Sequence, residues 1–125
     1  MGLIHADIEL RNPSKPELKP VVVNALVDSG ASYTCLPEHV VKQLGLTALD
    51  TREIVLADGS TQVVPYVGPL TVAFDNRLSV AAALQLGDEP LLGAITMQDM
   101  DVVISLKDES LVVNPKNPNI ATGRA

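Results

Sequence analysis

The sequence predicts an all-β, or mostly β, single domain with one or two short helices. Three observations point there. Apolar residues recur at every second position in several short runs, the mark of half-buried strands. Turn chemistry rich in Gly, Pro, Asn and Asp separates those runs at short intervals. The core must also be built from Val, Leu, Ile and Ala, because 46% of the 125 residues are hydrophobic and only 2% aromatic. Side chains branched at the β-carbon suit a pleated surface.

The first segment alternates cleanly. Ile4, Ala6, Ile8 and Leu10 point one way and His5, Asp7, Glu9 and Arg11 the other. Asn12-Pro13-Ser14-Lys15-Pro16 is loop chemistry, and Val21–Val27 is an apolar run of strand length that stops at Asp28-Ser29-Gly30. Tyr33–Leu36 reads as another short strand. Pro37 suits the opening of a helix over 37–44, with Val40, Val41 and Leu44 as its apolar side and Gly45 as its stop.

Two hairpins are predicted next. Glu53–Ala57 and Thr61–Tyr66 flank Asp58-Gly59-Ser60, a strong short-loop signal. Leu70, Val72 and Phe74 alternate up to Asp75-Asn76, and Leu78, Val80, Ala82 and Leu84 alternate beyond it. A short helix is predicted over Ala94–Met100, after Pro90-Leu91-Leu92-Gly93. Val102–Leu106 and Leu111–Val113 form a last hairpin through Lys107-Asp108-Glu109. The domain thus spans 1–113, and the aperiodic stretch 114–125 reads as a flexible tail.

A formal charge of −6, with no Lys/Arg cluster to neutralise phosphates, argues against nucleic acid. No apolar run approaches the ~20 residues of a membrane span, and Asp7 and Glu9 stand where a signal peptide is apolar. A single cysteine, Cys35, forms no internal disulfide and favours a reducing compartment. A cytoplasmic location is the expectation, with no membrane partner.

The feature that could carry chemistry is Ala25-Leu26-Val27-Asp28-Ser29-Gly30-Ala31-Ser32. An acid straight after an apolar strand is expected where water access falls, Gly30 permits a tight turn, and Ser29 adds a hydroxyl beside the carboxylate. Such a tripeptide is also an ordinary turn, with Asp accepting backbone hydrogen bonds. Amide hydrolysis needs one group to take a proton from water and another to give one to the substrate. Two carboxylates at ~3 Å do both, because like charges that close share a proton. One such Asp per chain calls for a second from a two-fold-related copy.

This stretch resembles the active-site loop of retropepsin-like aspartic peptidases, an apolar strand followed by Asp-Thr/Ser-Gly-Ala/Ser. Leu91-Leu92-Gly93-Ala94 resembles that family's second landmark, some sixty residues downstream, and Ala57-Asp58-Gly59-Ser60 falls where the family carries its flap tip. The likeness runs from about Ile8 to Val113. It implies a closed β-barrel of the acid protease fold that works as a homodimer. It makes Asp28 the catalytic acid and base, with Ser29 tying the two loops together across the dimer axis. Gly30 and Ala31 complete the loop; Ala57, Asp58, Gly59 and Ser60 close over an extended peptide; Leu91, Leu92 and Gly93 support the site from beneath.

The resemblance implies no metal and no cofactor, and a hydrolase cutting beside hydrophobic residues. Dimer pairing would use Leu111–Asn114 or the Leu3–Leu10 strand. The long first hairpin and the polar tail depart from the compact viral members and look more like cellular and bacterial relatives. The alternative is a non-catalytic peptide-binding or dimerisation module on the same fold.

Other candidates are weaker. His5 and His39 have no Cys or carboxylate at ligand spacing and read as surface histidines. Asp99 and Asp101 resemble a metal pair, but a solvated helix boundary is the simpler reading. Ser29 and Ser32 lack the strand–Ser–helix elbow of a serine hydrolase. Cys35 reads as a small apolar residue, and Tyr66 as hairpin packing or a cleft residue. The tail could also serve as a self-processing or inhibitory segment.

Overall fold

The computed structural model describes residues 2–125. It contains β1 (His5–Arg11), β2 (Val21–Val27), β3 (Cys35–Leu36), α1 (Glu38–Gln43), β4 (Thr47–Val55), β5 (Thr61–Phe74), β6 (Arg77–Gln85), β7 (Leu91–Leu92), α2 (Ala94–Met100), β8 (Val102–Ser105) and β9 (Ser110–Val113). The main sheet runs β1-β2-β7-β3-β6-β5-β4, and β1 also pairs with β5. That extra pairing, Glu9–Arg11 against Thr71–Ala73, joins the sheet to itself. Six strands therefore close into a barrel, and β4 hangs from β5 outside the ring. Closure removes two sheet edges that would otherwise be open.

The alternation of β1 does what a half-buried strand requires: Ala6, Ile8 and Leu10 are buried, while His5, Asp7 and Arg11 face water. With Leu36, Leu70, Val72 and Leu92 they fill the barrel. Apolar burial of this kind contributes roughly 25 cal/mol per Å2 removed from water. The loop after β1 has its own anchor. Asn12 is buried, and its amide nitrogen donates to Leu44 O at 2.9 Å and Gly45 O at 3.2 Å, satisfying carbonyls at the end of α1. Gly45 turns the chain there with φ of +61°.

Two expectations change. β5 does not break at Tyr66 but continues to Phe74, carrying Gly68-Pro69 through a register shift opposite β6. In β6 the apolar set Leu78 and Val80 faces solvent, while Arg77 and Ser79 are buried. The inversion holds because the polar residues have partners inside: Ser79 Oγ donates to Asp99 Oδ2 at 2.6 Å, and Arg77 meets Asp101 and the tail. The tail has no helix or strand among the described residues, and three of its residues bond to Asp101. Asp101 accepts from Asn114 Nδ2 at 3.0 Å, Asn117 Nδ2 at 2.8 Å and Thr122 N at 3.0 Å.

β8 and β9 form a separate two-stranded sheet. No helix among the described residues is long and apolar enough to cross a membrane.

Candidate active site

Asp28 follows the last residue of β2, and that strand end is fixed from both sides. Leu26 N donates to Pro90 O at 2.9 Å, Val27 N to Ile4 O at 2.8 Å, and Asp28 N to Leu92 O at 3.1 Å. β2 and β7 run parallel here, with Leu26 opposite Leu91 and Val27 opposite Leu92. The chain then turns back on itself. Ala31 N donates to Asp28 O at 3.2 Å, and Gly30 N to Asp28 Oδ1 at 2.9 Å. A β-carbon at residue 30 would lie 3.2 Å from that same carboxylate oxygen, so a side chain would crowd the acceptor.

The first turn of α2 completes the support. Ala94 N donates to Ala31 O at 2.7 Å and Ile95 N to Ser32 O at 3.1 Å, so amides that a helix start leaves unpaired are satisfied by the loop. Gly93 packs directly against the Tyr33 carbonyl, where any β-carbon would collide with it. This contact explains why glycine follows Leu91-Leu92. Beneath lies a buried hydroxyl pair, Thr34 Oγ1 and Thr96 Oγ1 at 2.7 Å, and Thr34 Oγ1 also accepts from Gly93 N at 3.2 Å. Neither threonine was picked out by motif. A polar Thr34 inside the apolar Tyr33–Leu36 run was the available signal.

The burial expected of Asp28 is not supplied by one chain. Asp28 is half-buried and Ser29 and Gly30 are exposed, because β2 ends at Val27 and the loop stands outside the barrel core. Among the described residues the only donor to the Asp28 carboxylate is its own loop amide. A concavity of about 870 Å3 reaches this loop through Ser29 and continues along α2 and β8 to the tail.

Ala57, Asp58, Gly59 and Ser60 lie apart from that cluster, at the exposed tip of the β4–β5 hairpin. Gly59 takes φ of +85°, Gly59 N donates to Leu56 O at 2.9 Å, and Leu56 N to Ser60 O at 2.8 Å. Ser60 donates to Asp58 Oδ1 through both its amide (2.9 Å) and its hydroxyl (2.5 Å). These bonds hold the Asp58 carboxyl below its ordinary range, the hydroxyl contributing most. The base of the hairpin does reach the loop side. Arg52 stacks over the Tyr66 ring at 4.0 Å, and Tyr66 meets Tyr33 edge-on with centroids 6.4 Å apart.

The remaining candidates take structural places. His5 and His39 are exposed. Cys35 is half-buried, and desolvation raises its thiol above the ordinary range. Asp99 is exposed, but Asp101 is not the solvated boundary expected of it: its side chain is 13% exposed and lies 3.9 Å from Arg77 Nη2. Its three donors, Asn114 first, then Thr122 and Asn117, hold its carboxyl below the usual range. No three His, Cys, Asp or Glu side chains gather as metal ligands would among the described residues.

The barrel and a strand-end Asp-Ser-Gly loop seated on Leu-Leu-Gly define a retropepsin-like fold. The chain belongs to the aspartyl protease family, whose profile matches residues 17–113. Among solved structures it is similar to the retroviral protease-like domain of Ddi1 from Leishmania major. That match has a TM-score of 0.59 and 15% identity, and covers 91% of each chain, a likeness of fold. No curated protein sequence matches it.

Proposed function

We propose that the protein is an aspartic endopeptidase that works as a homodimer, each chain contributing one Asp28. The observation that carries this reading is the support of the Asp28 loop: β7 holds its entry, α2 holds its exit, and the half-buried Asp28 has, among the described residues, only a loop amide for a carboxylate donor. A turn carboxylate in a purely structural role has no need of a platform built from two distant segments. A catalytic carboxylate does, since proton transfer requires fixed geometry.

In the dimer the two Asp28 carboxyls face each other and share one proton. The ionised one takes a proton from a water held between them, and the water oxygen bonds to the scissile carbonyl carbon. The protonated one polarises that carbonyl oxygen. Collapse of the tetrahedral adduct breaks the C–N bond as a carboxyl proton passes to the departing nitrogen. No bond forms between enzyme and substrate. The extended peptide lies against the flap hairpin as an added strand, matched through main-chain groups.

β8 and β9 are the strands best suited to subunit pairing, because their outer edges pair with nothing in the main sheet. β1 is a poorer choice, bonded to β2 along His5–Leu10 and to β5 over Glu9–Arg11. The test is a mixed peptide library read by mass spectrometry. The wild-type chain is expected to cut it, at a rate per chain that falls on dilution as dimers dissociate. Asp28→Asn is expected to leave dimer size unchanged and remove cleavage. Cleavage retained by Asp28→Asn would refute the assignment, and binding of a statine-type peptide without cleavage by wild type would favour a peptide-binding module.

A further inference from the structure

The concavity that includes Ser29 is lined partly by apolar residues, Ala94 and Met97 of α2 and Val102 and Ile104 of β8, and partly by polar ones, Asp101 and Asn117 among them. Thr122–Arg124, the end of the tail, form another wall of it. That wall is held by a polar knot. The Asp101 carboxylate takes three donors from the tail, Arg77 Nη2 donates to Asn117 O, and Asn76 Nδ2 donates to Pro118 O at 3.0 Å. Arg77 is 1% exposed, with Nε and Nη1 unpartnered, so the tail and Asp101 supply the neighbours that this buried cation has. A polar segment gives up much conformational freedom to sit there. Its place in the same concavity as Ser29 gives that ordering a use.

Beside the groove the β8–β9 hairpin pairs, among the described residues, only with itself, and its turn exposes Leu106 at 69%. The chain therefore carries a partly apolar groove and, two residues beyond the groove residue Ile104, an uncovered apolar side chain at the turn of a hairpin outside the main sheet. A two-fold contact needs such a self-complementary pair of features on a single surface. The groove is also continuous with the loop whose catalytic site is incomplete without a second copy.

We propose that this groove seats the hairpin turn of a second copy of the chain, with Leu106 of each copy entering the groove of the other, and that residues 117–124 form the outer wall of that seat. Asp101 is a positioning residue for the wall. The inference rests on the dimeric reading above and adds to it a role for the tail. The tail then helps assemble the site instead of inhibiting it.

The experiment is sedimentation velocity over a dilution series, with peptide cleavage and a thermal melt at each step. It compares the full chain, a chain ending at Pro118, and Leu106→Asp. Ending at Pro118 removes Thr122–Arg124 but keeps the Asn114, Asn117 and Pro118 contacts, and Leu106 is too exposed for its loss to unfold the monomer. Truncation is expected to weaken the dimer by about tenfold, and Leu106→Asp by about tenfold or more. Cleavage by the truncated chain should return to the full rate at high concentration, with unchanged monomer melting. A truncated chain that dimerises more tightly would show that the tail plugs the groove and would overturn the proposal. A stable dimer indifferent to both changes would overturn the groove assignment alone. A full chain that stays monomeric at every concentration would overturn the dimeric reading and the groove with it.

Discussion

The loop at Asp28 and the hairpin tip at Asp58 are both Asp-centred turns, yet they are held in different ways. The Asp28 loop is bonded to residues sixty positions away, through Leu92 O, Ala94 N and Ile95 N, and rests on the Thr34–Thr96 hydroxyl pair. Among the described residues the Asp58 tip is bonded only within its own hairpin, from Leu56 to Ser60. Long-range bonds resist local opening, whereas a tip held by its neighbours opens at little cost to the rest of the fold. The difference matches what peptide hydrolysis asks of the two places. A carboxylate must stay still, and a cover over the substrate must move.

Gly93→Ala is the strongest way to break the fixed half. Its methyl meets the Tyr33 carbonyl, and moving that backbone should cost about 3 kcal/mol, read as a lower midpoint in urea. Stability equal to wild type would mean that the platform is softer than described. Thr34→Val is next. It keeps the shape but leaves Thr96 Oγ1 and Gly93 N without their shared partner, at about 1–3 kcal/mol by the same measurement. Asp58→Ala should act the other way round. It removes the acceptor of both Ser60 bonds at an exposed tip, so melting should stay in place while KM for peptides rises a few-fold. A shift in melting without a shift in KM would contradict the division of labour.

The tail adds a pH-dependent version of the comparison. The Asp101 carboxyl titrates below its unfolded value, so its contribution to holding the tail is complete above the ordinary carboxylate range. That contribution begins to fade as pH falls into the ordinary range and is gone below the lowered value. The protection factor at Thr122, taken relative to the intrinsic exchange rate at each pH, should fall with acid before those at Ala94 and Ile95 do. Asp101→Asn should remove that pH dependence, and an equal loss of protection at both places would refute it.

Much of this was legible in the sequence because it depends on local pattern. The alternation of β1, the Pro37 and Gly45 bounds of the first helix and the Asp58-Gly59 turn each follow from neighbouring residues. What was not legible depends on distant partners. Gly68-Pro69 looks like a strand break, but a register shift against β6 absorbs it. Leu78 and Val80 look like core, yet Arg77 and Ser79 turn inward because Asp101, Asn117 and Asp99 await them. The tail looks loose because side-chain bonds to one carboxylate leave no periodic trace. Motif order singled out Asp28, Ser29, Gly30 and Leu91-Leu92-Gly93, but the Thr34–Thr96 pair beneath them became visible only in three dimensions.

The central claim is that each active site takes one Asp28 from each of two chains. Wild-type and Asp28→Asn chains can be mixed at fixed total concentration, allowed to exchange subunits, and assayed for cleavage. Only dimers with two wild-type chains hold both carboxyls, so activity should fall as the square of the wild-type fraction, to roughly a quarter at an equal mixture. A straight-line fall, to roughly half, would mean that one chain is sufficient and would contradict the account.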